Sequence, residues 1–134
     1  MGFEVFSKRA AGKLKAPTIT VQKRGTLSLN AAAAAMLAGG EIPETLPVEL
    51  LYDRERKVIG VRRAEAEHPN VYVMRKQAKS DSFLLAGKAF TLYYQIPTGE
   101  SRRYLAKDFG EGILGAELEG EYSEVSREPA EEDG

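Results

Sequence analysis

Three groups of cations stand between runs of alternating apolar residues: Lys23 and Arg24 in "QKRGTLSLN", Arg54, Arg56 and Lys57 in "YDRERKV", and Arg75 and Lys76 in "VMRKQAK". Tyr52 and Tyr72 flank the second and third groups, and Tyr104 follows a further pair, Arg102 and Arg103. Cations on turns with aromatic rings nearby suit a single-strand nucleic-acid binder, in which the cations neutralise phosphates and the rings stack on bases. The seven cations of the three groups and the three tyrosines are the candidate nucleic-acid contacts. The polar positions Thr18, Thr20, Gln22, Thr26 and Ser28 would line the track between them. The competing reading is plain: exposed turns carry charge in any protein, and the same rings can serve a core.

Other chemistries find little support. There is no Cys, so thiolate catalysis and thiolate zinc sites are excluded. The single histidine, His68, sits in the loop "EHPN" with no Ser or Cys motif beside it. "AGKAF" is too short for a phosphate loop, and Gly110 and Gly112 around Glu111 make no dinucleotide fingerprint. Asp53 and Glu55 sit in a basic turn, where local charge balance accounts for them. The expectation is a protein that is not an enzyme and has no catalytic residue, no metal site and no cofactor.

A chain of 134 residues with 43% hydrophobic and 29% charged residues has the make-up of one folded domain. Its charge is unevenly spread. Residues 117–134 hold eight acids against one base, Arg127, a net −7, which leaves residues 1–116 at +6 within a total of −1. This composition predicts a mildly basic globular domain over 1–118 and an acidic, flexible tail over 119–134. No apolar run approaches the roughly 20 residues that span a bilayer, and the first residues lack the apolar core of a secretory signal, so the expected place is the cytoplasm, away from membranes.

The elements that would carry these groups follow from periodicity. "TITVQKRGTLSLN" alternates twice, with Ile19, Val21, Leu27 and Leu29 on one face. Opposed residues must share a face, so a three-residue turn, Lys23-Arg24-Gly25, pairs Val21 with Leu27 and Ile19 with Leu29, and places Gly25 at a left-handed position. Asn30 then caps a helix running from about Ala31 to Ala38, stopped by Gly39-Gly40. "VELLYD" and "KVIGVRR" predict a second hairpin with an even-length turn that sets Val48 and Leu50 on one face with Val61 and Ile59. "VYVMRK" and "SFLLA" predict a third. "GKAFTLYYQI", with Ala86, Ala89, Phe90, Tyr93 and Ile96 at helical spacing, predicts a second helix, and "RRYLAKD" and "GILGAEL" two last strands. With a first strand at "FEVFS", the order is βββ-α-ββββ-α-ββ: an α+β fold of antiparallel, hairpin-built sheets with two packed helices. No sequence repeat is visible, yet hairpin, helix and hairpin recur, so the unit around Asn30 has the shape of the unit around Gly87.

A strand ending "SLN", a helix, a strand ending "YD" and the basic strand "RKVIGVRR" resemble, over residues 18–96, the core of Whirly-type single-stranded-DNA-binding proteins, related in fold to PUR domains. That resemblance implies a Whirly-like sheet and low-specificity binding of single-stranded DNA or RNA in transcription regulation or a nucleoid or replication role. The "KGKAALS" motif of the plant members is absent, and the two strands after the second helix are extra. The stretch "GTLSLNAAAAAML…VELLYDRERKVIGVR" is also similar to the swapped-hairpin AbrB and MraZ regulators, whose chains dimerise on duplex DNA; Asn30 and Pro47-Val48 stand where those proteins place Pro and Gly-Asp. A non-catalytic protein-interaction module is the remaining alternative. Edge strands and the flat Ala-rich helix also predict a homo-oligomer.

Overall fold

The computed structural model describes residues 16–77, 82–120 and 122–124. The expected strand at "FEVFS", Lys79 and most of the acidic segment lie outside the described residues.

The first hairpin has the expected register. β1 (Thr18–Val21) pairs antiparallel with β2 (Leu27–Leu29), with Ile19 opposite Leu29 and Val21 opposite Leu27. Its tip is the three-residue turn Lys23–Gly25, closed by the Gln22 N–H donating to the Thr26 carbonyl at 2.8 Å. Gly25 has φ +93°, and a Cβ there would lie 2.6 Å from Thr91 Oγ1 and 2.9 Å from Lys88 Cα, so the position requires glycine for both conformation and space. Asn30 caps α1 (Ala31–Ala38): its Oδ1 accepts from the N–H of Ala33 and of Thr18, each at 3.0 Å, and its amide donates to the Ala16 carbonyl at 2.8 Å. Gly39, at φ +75°, ends the helix in the left-handed region.

β3 (Thr45–Asp53) and β4 (Val58–Arg63) form the second hairpin across the four-residue turn 54–57, with Leu50 opposite Val61 and Tyr52 opposite Ile59. β5 (Tyr72–Lys76) and β6 (Phe83–Leu85) form the third. The segment α2 (Lys88–Tyr93) follows, then β7 (Arg102–Asp108), β8 (Leu114–Glu117) and a short β9 (Tyr122–Glu124) that continues beside β7.

These strands do not form the expected open sheets. They are ordered β1-β2-β6-β5-β3-β4-β8-β7, and β7 pairs back onto β1 through Ile19–Tyr104 and Val21–Arg102, so the eight strands close an antiparallel barrel. The two strands after the second helix, surplus to a Whirly-like sheet, are what close it. The α+β, Whirly-like architecture with two packed helices is therefore corrected to a β-barrel with one helix of ordinary length. α2 spans six residues, and its N-cap position is Gly87, with no capping side chain. Without a cap, a segment this short has little to hold it as an independent helix. Ala86, Ala89 and Tyr93, expected on its buried stripe, are exposed, while Phe90 and Ile96 are buried.

Closure sorts side chains by parity. Alternate residues such as Ile19, Leu29, Val48, Ile59, Met74 and Leu85 fill the interior at 0–2% exposure, since eight strands enclose a space that side chains just fill. It also removes the open edges of the ring, and Ala33, Ala34 and Leu37 of α1 are buried in this same core. The two grounds for expecting a homo-oligomer thus disappear. Among the described residues, no helix is long and apolar enough to cross a membrane.

The ring has an internal symmetry. Replacing each strand by the one four places later leaves the order unchanged, so β1-β2-α1-β3-β4 and β5-β6-α2-β7-β8 are topologically equivalent halves. The β2–β6 register obeys this: Ser28 lies opposite Leu84, with Leu27–Leu85 and Leu29–Phe83 on either side. The recurrence of hairpin, helix and hairpin seen in the sequence is this duplication.

Candidate nucleic-acid interface

In a fully antiparallel ring, alternate strands run in one direction, so β1, β6, β3 and β8 all end at the same mouth of the barrel. That mouth carries the tip Lys23–Gly25, the turn 54–57, α2 and the turn after β8. The opposite mouth carries α1 and the connections 64–71 and 109–113. Lys23, Arg24, Arg54, Arg56 and Lys57, predicted from two separate turns, are all exposed and gathered at the first mouth, together with Lys88. Arg75 and Lys76 are exposed at the far end of β5, toward the opposite mouth.

The three predicted stacking rings fare differently. Tyr104 is 4% exposed inside the barrel and leaves the set of candidates. Tyr72 is half-buried against the core opposite Val48. Tyr52 is half-buried in an aromatic cluster that closes the first mouth: its ring centroid lies 4.7 Å from Tyr94 and 6.3 Å from Phe90. Burial pushes the Tyr52 hydroxyl above its ordinary pKa, against the Arg54 charge, which pulls it down. The polar face of the first hairpin is no open track either. Thr20 is 7% exposed and Thr18, Gln22, Thr26 and Ser28 are half-buried.

Tyr93, which the periodicity assigned to a buried helix stripe, stands instead beside the second basic turn. The Arg54 guanidinium lies 4.9 Å from the Tyr94 ring centroid and 5.9 Å from that of Tyr93, and Tyr93 is 71% exposed with Leu92 beside it at 67%. α2 and the turn 54–57 thus present a ring and a cation side by side at the rim. No residue-type pattern marked Tyr93 as exposed; only the early end of the helix frees it.

Arg56 turns to the outer face. Its Nε donates to Asp53 Oδ2 at 2.9 Å, and its guanidinium lies 5.5 Å from the Phe109 ring. Asp53 Oδ1 also accepts from the N–H of Glu55 and of Arg56 at 3.0 Å; the backbone bond from Arg56, then its side chain, hold this carboxyl below the usual carboxylate pKa. The charge balance expected for Asp53 is therefore a turn lock. Phe109 and Ile113 fold down over Gly115 and Gly60, which are register partners; a Cβ at either would strike the covering residue at 2.5 and 2.9 Å. Between this loop and the turn 54–57 lies an open cleft of about 740 Å³, floored by Leu51, Val58 and Ile113 and rimmed by charges of both signs.

Two further groups were not anticipated. Arg102 stacks on Tyr122 at 4.5 Å, and its bond to the Tyr104 hydroxyl raises its already high pKa. On the outer face of the second hairpin, Glu49 Oε2 accepts from Arg62 Nε at 2.7 Å, while His68 Nε2 lies 3.4 Å from Glu49 Oε1 and its Nδ1 accepts from the Asn70 N–H. Both ring nitrogens of His68 are thereby occupied in the structure. Among the described residues, no three His, Asp or Glu side chains cluster to hold a metal. Comparison with family models, curated proteins and solved structures finds no match to the chain.

Proposed function

We propose that the chain binds nucleic acid through the barrel mouth that carries both basic turns. The observation that supports this reading is that Lys23, Arg24, Arg54, Arg56 and Lys57, from turns far apart in the sequence, come to one mouth, where Arg54 lies beside the exposed Tyr93. Cations spaced around a mouth follow a phosphate backbone, and a rim ring offers a face to an unstacked base. A single strand is the favoured ligand because Tyr93 can stack on a base only where that base is free.

A second reading, an AbrB- or MraZ-like regulator on duplex DNA, draws support from the duplicated hairpin–helix–hairpin halves, since strand, short helix and hairpin follow one another in those regulators too. Fluorescence anisotropy with labelled single-stranded and duplex oligonucleotides, titrated with salt, separates the two. The expected result is binding to the single strand that weakens steeply with salt, with a log–log slope of about −0.7 per phosphate neutralised. Lys23→Gln with Arg24→Gln, keeping Gly25, should reduce the steepness by about 1.4 and leave the fold unchanged. Preference for duplex selects the second reading, and binding to neither form at low salt overturns both.

A further inference from the structure

We propose that the cleft between the turn 54–57 and the loop 109–113 holds one unstacked base of the bound strand, guanine by preference, with Glu111 accepting from its edge; this rests on the nucleic-acid reading. The cleft shares Arg54 and Tyr94 with the rim of the basic mouth, where they stack at 4.9 Å. A strand whose phosphates follow the turn cations passes this opening. At about 740 Å³ the space is in the range of small-molecule sites and takes a base with its sugar. Its floor is apolar and its sides carry Tyr52, Tyr94 and Phe109, a setting that suits a planar ring better than water does. The loop wall is formed in advance. Phe109 and Ile113 rest on Gly115 and Gly60, the Phe109 N–H donates to the Ile113 carbonyl at 2.8 Å, and the Ile113 N–H donates to the Gly110 carbonyl at 3.0 Å.

Charge decides which part of a nucleotide enters. Asp53, Glu55 and Glu111 stand in the lining against Arg54 and Arg56, so carboxylates outnumber guanidiniums. Such an interior repels phosphate, which stays with the cations of the rim, and admits the neutral base. Asp53 is taken by Arg56 and by its own turn, and Glu55 is flanked in the chain by Arg54 and Arg56. Glu111 forms no ion pair among the described residues and has no cation in its loop. It sits at φ +56° between the left-handed Gly110 and Gly112, where glycine would be less strained, so its carboxylate does not serve the shape of the loop. A carboxylate only accepts, through two oxygens. Guanine presents two parallel donors, N1–H and N2–H, along one edge, whereas adenine, cytosine and thymine each present a single donor there.

Two probes test this on the full chain: guanosine monophosphate, and an oligothymidine strand with and without one guanine. Both guanine probes should shift the methyl resonances of Leu51 and Ile113 upfield, through the ring current of the base. By anisotropy at fixed salt, the guanine-bearing strand should bind about five- to tenfold more tightly than oligothymidine, the worth of one bidentate contact. Glu111→Gln should bring the two strands to equal affinity, and Glu55→Gln should leave the difference standing. Strand binding without methyl shifts overturns the cleft assignment and leaves the mouth reading intact. Shifts with equal affinity for the two strands, or a preference that survives Glu111→Gln or is lost with Glu55→Gln, overturn the selection of guanine by Glu111. Shifts with guanosine monophosphate in a chain that binds no strand uphold the base site and overturn the strand reading. Neither shifts nor strand binding overturns both.

Discussion

The two halves of the barrel occupy equivalent places in the ring and do different work. In the first half, β3 ends at Asp53 and turns through Arg54, Glu55, Arg56 and Lys57; in the second, β7 ends at Asp108 and turns through Phe109, Gly110, Glu111, Gly112 and Ile113. Both aspartates accept backbone N–H groups of their turns, Asp53 from Glu55 and Arg56 and Asp108 from Gly110 at 2.8 Å. Only Asp53 also holds a cation. The helices diverge in the same way. α1 is capped by Asn30 and buries Ala33, Ala34 and Leu37, whereas α2 is uncapped, buries Phe90 and leaves Leu92 and Tyr93 in solvent. Duplicated topology here repeats the packing scheme but not the surface chemistry, because closure constrains inward residues and leaves turn residues free.

The largest effects are expected at two of the left-handed glycines, both in the first half, one covered by the second half's α2 and one not. Gly25→Ala, which meets α2 as well as an unfavourable φ, should cost about 3 kcal/mol, combining left-handed strain with overpacking. Gly39→Ala has a φ of +75° but nothing within 4 Å, and should cost about 1 kcal/mol. Urea unfolding measures both, and equal losses would remove the contact with α2 from the account.

A smaller effect tests whether the rim of the first half is an organised cation–ring pair. A double-mutant cycle with Arg54→Met and Tyr94→Leu should give a coupling of about 0.5–1 kcal/mol that survives moderate salt. Zero coupling would make the stack incidental to the mouth.

The smallest effect concerns the turn lock. The folded pKa of Asp53 lies below its unfolded value, so its contribution is complete above the ordinary carboxylate range near 4 and is lost as pH falls through the depressed folded value. Chemical shifts of the Glu55 and Arg56 amides should follow that titration, and Asp53→Asn should abolish it. Shifts that move only near pH 4 or above would mean that Arg56 and the turn amides do not hold the carboxylate.

Much of the local structure was legible because it depends on neighbours in the chain. The Val21–Leu27 register, the left-handed Gly25, the Asn30 cap and the even length of the turn after Asp53 all follow from parity and residue type. Tyr104 could not be read the same way: its place between Arg103 and Leu105 suits a rim or a core, and only pairing with Ile19 of β1 turns it inward. Tyr93 erred in the opposite direction. Helical spacing assigned it to a buried stripe, but the absence of a cap at Gly87 and the left-handed Gln95, at φ +56°, confine the helix to six residues.

What the sequence determined by itself is the set of hairpins, their registers, the capped helix and the uneven charge, since each arises from contacts between residues a few positions apart. The tertiary structure alone decided that eight strands close into a ring rather than lie in open sheets. Closure depends on β7 finding β1 some eighty residues away, a pairing for which alternation carries no label, because any apolar face satisfies any other. That one pairing closes into a mouth the end of the sheet that carries both basic turns, and it buries Tyr104.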